Sequence, residues 1–382
     1  MKKPLCSGYI DNKFLIVKNI VDDLLMKNHE EGCSITLYLD GEKVIDIWGG
    51  WANKEKNIPW QHDTIVSTFS VSKALVSTLG HILVDRKQIE LNKPVATYWK
   101  NFGKFEKDKI LVRNLFDHTC AITYVDKKLN FGDLYNWDLM IKAIENTKPN
   151  WNPCEKPVYL NMTYGYLIGG LIEKVTGLKL SAFNRINFSN LLNIDYNFSL
   201  RPQELKRVAK VYRKVAGEEF LEKPMKDINS IFAKSMQGFG KNEDFNSKSW
   251  RSGEVGSGQG HGNARSIANL FEMLRNDGSY NGYQVISKQT RDNAIKFQCE
   301  SKGNDPIIGS PIKLALGYEL NCPVFPMGPN PNSFGHWGAG GSFGFSDLEA
   351  NVAFGYTPNL MHDKMELGPR GKKIIEAIYS VL

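Results

Sequence analysis

Residues 63–83 read DTIVSTFSVSKALVSTLGHIL, and this stretch decides how the rest of the chain is interpreted. Residues 63–69 have the composition of an extended segment, and the apolar residues that follow recur at spacings of three and four, which predicts a helix. Ser70 and Lys73 lie one turn apart at the start of that helix, so their side chains share a face. A serine hydroxyl is a weak nucleophile at its own pKa, and a partly neutral amine beside it accepts its proton during attack. The pattern predicts acyl-enzyme chemistry, with a helix-capping role for Ser70 as the alternative.

Length and composition describe an ordinary globular protein. The chain has 382 residues, of which 42% are hydrophobic and 23% charged, enough for one large or two interlocked domains with a substantial core. The formal charge is +7, and the densest basic stretch, residues 206–214, has its lysines and arginines at helical spacing without interleaved aromatic residues. That spacing is typical of a solvated helix face rather than of a nucleic-acid patch, so we expect no nucleic-acid partner.

The cysteines and the hydropathy pattern bear on cofactors and location. The six cysteines are Cys6, Cys33, Cys120, Cys154, Cys299 and Cys322. They form no Cys-x-x-Cys pair, which argues against a zinc site or a dithiol redox motif and favours free thiols in a reducing compartment. Residues 1–12 lack the apolar run of a signal peptide, and no run of about 18 apolar residues occurs, so we expect a cytoplasmic protein without a membrane span.

Strand patterns lie at both ends of the chain, and helical patterns fill most of the middle. The strand patterns are 33–39, 43–50, 314–320, 341–345 and 351–356, and the clearest helical patterns are 15–26, 162–176, 267–274 and 372–382. This order predicts an α/β (α+β) fold in which one antiparallel sheet is built from both termini and flanked by helices, with a mostly helical lobe inserted. We expect the sheet domain to comprise residues 1–85 and 260–382 and the lobe residues 86–259, with the site in the cleft between them.

A second motif, Tyr159-Leu160-Asn161, directly precedes the helix predicted over 162–176. A phenol and an amide two residues apart both point into a cleft where the backbone is extended or looped. Tyrosine acts as a base only where a cation stabilises the phenolate, and Lys73 is a candidate for that cation. The alternative is a buried structural tyrosine with a bonded hydroxyl.

A third motif is the glycine-rich run His336-Trp337-Gly338-Ala339-Gly340-Gly341-Ser342, which comes just before a strand pattern. Glycines let a backbone approach a ligand closely, and amides at a strand edge donate to a developing oxyanion. A tight hairpin needs glycines as well, and it is the alternative.

Taken in order, Ser-x-x-Lys at 70–73, Tyr-x-Asn at 159–161 and His-x-Gly at 336–338 resemble the motifs of the serine β-lactamase and penicillin-binding-protein superfamily. The resemblance is to its class C β-lactamase-like branch, which includes the family VIII carboxylesterases. It extends to residues 88–99, to residues 115–120 and to the turn at 151–153, and it covers the chain from about residue 10 to the end.

The resemblance implies a β-lactamase/transpeptidase-like fold, with Ser70 as nucleophile and Lys73 together with Tyr159 as its base. It further implies an oxyanion hole from the amides of Ser70 and Ala339, with substrate contacts from Asn161, His336, Gly338 and Gly340. The expected reaction of this serine hydrolase is hydrolysis of a small-molecule carboxylic ester with a short acyl chain through an acyl-serine. By the same resemblance, we expect neither a metal nor an organic cofactor. The alternatives are hydrolysis of a β-lactam or a D-amino-acid peptide by the same residues, and a catalytically idle relative that serves in assembly or binding.

This chain departs from the family pattern at three positions. His336 stands where lactamases carry the lysine of Lys-Thr-Gly, so a titratable imidazole replaces the cation expected to hold a substrate carboxylate. That exchange favours the ester reading. Ala121 and Cys154 stand where the family has loop glycines, and both loops are expected beside the cleft.

Overall fold

The computed structural model describes residues 2–213, 226–239, 245–362 and 367–382. Its strands in chain order are β1 (Ser7–Ile10), β2 (Gly32–Leu39), β3 (Glu42–Asn53), β4 (Ile58–Pro59), β5 (Val66–Ser67), β6 (Tyr212–Arg213), β7 (His261–Gly262), β8 (Ser279–Tyr280), β9 (Tyr283–Gln284), β10 (Cys299–Glu300), β11 (Lys313–Leu314), β12 (Glu319–Leu320), β13 (Phe334–Trp337), β14 (Phe343–Asp347), β15 (Val352–Pro358) and β16 (Leu360–Met361).

The α-helices are α1 (Leu15–Met26), α2 (Ser72–Asp85), α3 (Val112–Phe116), α4 (Trp137–Glu145), α5 (Thr163–Thr176), α6 (Leu180–Asn184), α7 (Asn190–Leu192), α8 (Pro202–Leu205), α9 (Ile231–Ser235), α10 (Lys248–Ser252), α11 (Ala264–Arg275), α12 (Lys288–Ile295) and α13 (Gly368–Tyr379). A π-helical segment (Arg185–Ser189) joins α6 to α7, and short 3₁₀ helices lie at Asn12–Phe14, Val95–Thr97, Lys100–Gly103 and Asp133–Tyr135.

One ten-stranded antiparallel sheet joins the two ends of the chain. Its order is β1-β3-β2-β15-β14-β13-β12-β11-β10, with β4 added to β3. The two ends meet where β2 pairs with β15, from Cys33 opposite Pro358 to Leu39 opposite Val352. The predicted sheet built from both termini, with helices inserted between, is confirmed. The boundaries at 85/86 and 259/260 stay a prediction.

Two helices connect this sheet to the position of the candidate site. α11 packs directly on β15, where a Cβ atom on Gly355 would lie 2.2 Å from the carbonyl oxygen of Ala264, so only glycine allows this approach. α2 is buried from Ser72 to Leu83 and packs on α5. A helix with no exposed face belongs to the interior, so the end of α2 that follows Ser70 is held from several sides.

Two sequence predictions about elements were wrong. The basic stretch is not a helix in its described part, residues 206–213, because its backbone bonds other segments: Ala209 N donates to the Ile65 carbonyl, and β6 pairs in parallel with β16. Residue 214 lies outside the described residues. The single strand predicted over 314–320 is two short strands, since Gly317 takes φ +89° and turns the chain between β11 and β12.

The described residues contain no helix long and apolar enough to cross a membrane. Over the same ranges, no group of three or more histidine, cysteine, aspartate or glutamate side chains is arranged to hold a metal ion. The six cysteines are all unpaired thiols.

Candidate active site

Ser70 lies in a tight turn between β5 and α2. The residue before it, Phe69, has φ +49°, a left-handed backbone conformation that costs free energy for residues other than glycine. Such a conformation persists only where the surrounding structure fixes it. α2 begins at Ser72, and its N-cap residue is Val71, which makes no side-chain capping bond. Ser70 is therefore not the helix cap, and its hydroxyl is available for the interaction with Lys73.

Lys73 is 1% exposed and its ammonium group lies at the centre of the site. Nζ donates to Ser70 Oγ at 3.0 Å and to the backbone carbonyl of Ser257 at 2.9 Å. It also lies 4.8 Å from the centre of the Tyr159 ring. Burial lowers the pKa of Lys73 to about 7, against a smaller raising effect of Glu319. A large fraction of this lysine is therefore neutral near pH 7 and able to accept a proton.

Tyr159 is buried beside Lys73, and its hydroxyl makes no hydrogen bond of normal geometry within the described residues. Burial and the nearby Glu319 raise the pKa of Tyr159 well above its usual value, while interaction with the Ser70 side chain partly offsets the rise. The phenol is consequently protonated in the resting site. Of the two predicted base residues, Lys73 is the one whose pKa suits proton acceptance, and Tyr159 is suited to donate or relay a proton.

The backbone around Tyr159 is held by two side chains that sequence reasoning missed as site residues. Asp305 Oδ2 accepts the Tyr159 amide at 2.8 Å, and His118 Nδ1 accepts the Leu160 amide at 2.9 Å. The His118 ring also stacks on the Tyr159 ring, with centroids 5.2 Å apart and planes 11° apart. His118 belongs to the family-like segment 115–120. The resemblance of that segment marked the region as part of the family pattern but assigned no role to His118. Nothing local to Asp305 pointed to this contact.

His336 and a third missed residue, Glu319, lie on neighbouring strands behind Lys73. Glu319 Oε2 accepts the Trp337 amide at 3.3 Å and lies 3.8 Å from His336 Nδ1, which in turn is 2.8 Å from the Trp337 carbonyl. Burial, with a further contribution from Lys73, lowers the pKa of His336 to about 3, so the imidazole is uncharged at neutral pH. Burial also raises the pKa of Glu319 well above its usual value.

The glycine-rich run forms the turn between β13 and β14 and abuts the segment before Ser70. Gly338 N donates to the Ser342 carbonyl at 2.7 Å, and Ser342 Oγ donates to the Thr68 carbonyl at 2.7 Å. A Cβ atom on Gly338 would lie 2.3 Å from that same Thr68 oxygen, so the close approach requires glycine. Among the described residues, the amides of Ser70 and Ala339 donate to no protein acceptor. Both residues line one cavity, as two oxyanion-binding amides must.

That cavity opens to solvent at its mouth. Ser70, Tyr159, Asn161 and Ala339 lie on its wall, so the structure brings these four predicted residues together. Lys73 reaches Ser70 from beneath. His336 is buried and lies behind the wall, with its ring centroid 6.3 Å from that of Tyr159. Gly338 and Gly340 flank Ala339 without lining the cavity, so for them and for His336 a substrate contact stays a prediction.

The two residues that replace family glycines keep a glycine-like backbone. Ala121 has φ +58° and Cys154 has φ +65°, both in the left-handed region. Their loops are anchored by backbone hydrogen bonds, from Asn150 N to the Ala121 carbonyl at 2.7 Å and from Cys154 N to the Thr119 carbonyl at 2.9 Å. The loop geometry therefore persists at the cost of local strain.

Comparisons with known proteins bear on the family and the fold of this chain. The beta-lactamase family model matches residues 17–377. The esterase/beta-lactamase LipL of Mycobacterium tuberculosis (strain ATCC 25618 / H37Rv) is 27% identical over 360 residues, which are 92% of this chain and 82% of LipL. The crystal structure of a family VIII carboxylesterase superposes with a TM-score of 0.90 at 30% identity, covering 99% of this chain and 100% of that one. A penicillin-binding protein homolog from Caulobacter crescentus gives a TM-score of 0.90 at 26% identity with the same coverage.

Proposed function

This chain belongs to the beta-lactamase family, and we propose that it hydrolyses neutral carboxylic esters through an acyl intermediate on Ser70. The observation that carries the proposal is the 3.0 Å contact between Lys73 Nζ and Ser70 Oγ, made by a lysine whose pKa burial lowers to about 7. The names of similar proteins, an esterase/beta-lactamase and a family VIII carboxylesterase, support the same class of reaction.

In the proposed acylation step, neutral Lys73 accepts the Ser70 proton while Oγ attacks the ester carbonyl carbon. The carbonyl oxygen gains negative charge and is bound by the amides of Ser70 and Ala339, each such donor being worth ~3–4 kcal/mol of barrier in acyl-transfer enzymes. The carbon–oxygen bond to the alcohol then breaks, and the departing oxygen takes a proton from Lys73 through the Tyr159 hydroxyl. Water attacks the acyl-serine by the same sequence of proton transfers and releases the acid.

The charge distribution of the cavity favours esters over substrates that carry a carboxylate. Within the described residues, the cavity wall has no charged side chain. His336, which stands where lactamases have a lysine, is neutral at physiological pH because burial lowers its pKa to about 3. A penicillin or a peptide would therefore bring an anion that no described side chain of the wall matches with a cation. Holding Ser70, Lys73 and Tyr159 in contact distance also argues against a catalytically idle binding protein.

The direct test is to assay p-nitrophenyl esters, nitrocefin and D-alanyl peptides side by side. We expect turnover of p-nitrophenyl acetate and butyrate to exceed that of the other two classes. Faster hydrolysis of nitrocefin or of a D-alanyl peptide would replace the ester assignment by the corresponding amide hydrolase, and the absence of all three activities would favour the idle relative. The free thiols support a cytoplasmic location for this activity.

His336→Lys is expected to shift specificity toward carboxylate-bearing β-lactams. The new ammonium would start from a buried position beside the Glu319 carboxyl, and the flexible lysine chain would have to extend past the wall into the cavity. There, one partly exposed ion pair with a substrate contributes about 1 kcal/mol, a fewfold change. The measurement is the ratio of kcat/KM for nitrocefin to kcat/KM for p-nitrophenyl acetate. His336→Asn is the matched neutral control and should leave the ratio unchanged. An unchanged ratio in a folded His336→Lys variant would show that this position does not set charge preference.

A further inference from the structure

Four aromatic side chains form a continuous surface next to the nucleophile, which we call the aromatic wall: Phe69, Phe239, Phe245 and Trp250. Phe69 directly precedes Ser70, and its ring centroid lies 4.9 Å from that of Phe245 and 6.0 Å from that of Trp250. Phe245 and Trp250 are 4.8 Å apart, and Phe239 is 5.9 Å from Trp250. All four line the cavity that holds Ser70.

The aromatic wall offers only apolar surface to the cavity. Trp250 Nε1 donates to Ser67 Oγ at 3.0 Å, in the strand behind the wall, so its polar atom is already bonded. The guanidinium of Arg213 lies 4.4 Å from the Phe245 ring centre, where it stacks on the ring and is not part of the described cavity lining. Met361 extends the apolar surface under Gly340, next to the proposed oxyanion amide of Ala339. Burial of an apolar substituent against these rings is favourable in proportion to the area covered.

We propose that the aromatic wall binds the acyl substituent of the ester, so that the enzyme prefers linear or aryl acyl groups larger than acetyl. This inference rests on the proposed function. Once Ser70 Oγ has attacked, the carbonyl oxygen is bound by the amides of Ser70 and Ala339. The alcohol oxygen must lie near Tyr159 to receive a proton from the phenol. The remaining substituent on that carbon is the acyl group, and the wall begins at the residue directly before the nucleophile.

A chain-length series tests the assignment. With p-nitrophenol as the constant leaving group, kcat/KM should rise about fourfold per methylene from acetate to butyrate, the equivalent of ~0.8 kcal/mol for each buried CH₂. Trp250→Ala and Phe245→Ala should flatten this dependence, and the milder Trp250→Phe should reduce it while preserving the fold. Phe131→Ala is the matched control, because Phe131 is 67% exposed, and it should keep the parent slope.

A second series keeps the acetyl group and lengthens the alcohol. The proposal predicts that the wall variants leave the dependence on alcohol length unchanged. If the wall variants change the dependence on alcohol length instead, the wall binds the leaving group. If all folded wall variants keep the unmodified enzyme's dependence on acyl length, the proposal that the wall binds the acyl group is wrong. Absence of all esterase activity in the unmodified protein would contradict the proposed function itself. Failure of the acyl-site proposal and failure of the proposed function are therefore distinguishable.

A separate observation concerns how Tyr159 and Lys73 are held relative to each other. The His118 ring lies between the rings of Tyr159 and Tyr164, with the second centroid at 4.8 Å. The Tyr164 hydroxyl is 2.5 Å from Ser77 Oγ, which donates to the Lys73 carbonyl at 2.7 Å. His118 therefore contacts the Tyr159 ring, accepts the next amide, and is linked to the helix that carries Lys73.

We infer that His118 is a positioning residue that acts through Tyr159. Its Nδ1 accepts a hydrogen bond, so the ring is neutral with its proton on Nε2. Burial keeps the pKa of His118 well below its usual value, which preserves this bond at physiological pH. A Tyr159 ring that loses both the stack and the anchored amide would place its hydroxyl less accurately between Ser70 and the leaving group.

The test is a double-mutant cycle with Tyr159→Phe. Since His118 has φ +63°, the variants chosen are His118→Asn and His118→Gly, which both tolerate a left-handed backbone, although only asparagine keeps an acceptor. We expect His118→Gly to lower kcat by about tenfold with little change in KM, and His118→Asn to recover part of the loss. In the Tyr159→Phe background the His118→Gly effect should shrink to less than about twofold.

The control for general loss of packing is His81→Asn. His81 is also a buried histidine, but it lies on α2 and does not contact Tyr159. It should lower the melting temperature without the selective fall in kcat. An equal loss from His118→Gly in both backgrounds would overturn the inference and make the role of His118 purely structural.

Discussion

Ser70→Ala is expected to abolish ester hydrolysis and covalent labelling by a fluorophosphonate probe. Ser70 Oγ is the hydroxyl that Lys73 Nζ contacts at 3.0 Å, and removal of the catalytic serine lowers turnover by at least about 10⁴-fold in serine proteases. The measurements are initial rates with p-nitrophenyl butyrate and the mass of the labelled protein. Because Ser70 is only half-buried and caps no helix, the variant should melt near the parent temperature. Labelling that persists in Ser70→Ala would place the nucleophile elsewhere.

Lys73→Ala and Tyr159→Phe are each expected to slow p-nitrophenyl ester hydrolysis at least about a hundredfold, because each removes a group from the proton path. For Tyr159→Phe, we expect this loss of rate without a matching loss of folding stability. The Tyr159 hydroxyl is buried without a hydrogen-bond partner in the described residues, so its removal should not destabilise the protein. Tyr283→Phe, at an exposed tyrosine, is the control. Near-parent activity in Tyr159→Phe would exclude that tyrosine from the mechanism, and near-parent activity in Lys73→Ala would exclude lysine as the base.

The pH profile supplies a second readout for Lys73. A protonated amine accepts no proton, so kcat/KM should rise with pH and level off above the Lys73 pKa of about 7. Lys73→Met keeps much of the side-chain volume without the amine, and its residual activity should lack this transition. A transition that survives in Lys73→Met would belong to a different group.

Features that depend on residues close together in the sequence could be predicted from it. Ser70 and Lys73 lie three residues apart, so helical geometry alone indicated their contact. Tyr159 and His336 approach them only through the tertiary fold, so local patterns made these two residues candidates and the resemblance to a family assigned their roles. The sheet joining both termini was predicted because β2, β3, β14 and β15 are long or strongly patterned.

The missed features depend on contacts between distant segments. Asp305 bonds the Tyr159 amide across 146 positions, and neither residue carries a local sign of this pairing. Glu319 lies in the two-residue strand β12, and its carboxyl meets the site by accepting the Trp337 amide of the neighbouring strand β13. The basic stretch at 206–213 has helical spacing, but backbone pairing with the segment at Ile65 determined its structure instead. Tertiary pairing of this kind overrides local propensity.

The central claim is that the ester's acyl group is transferred to Ser70. It is tested most directly by quenching the enzyme in acid during turnover of p-nitrophenyl butyrate and locating the modification by peptide mass spectrometry. The account predicts a butyryl group on the peptide containing Ser70 that disappears when substrate is exhausted. Turnover with no acylated peptide, or with the acyl group on another residue, would contradict it.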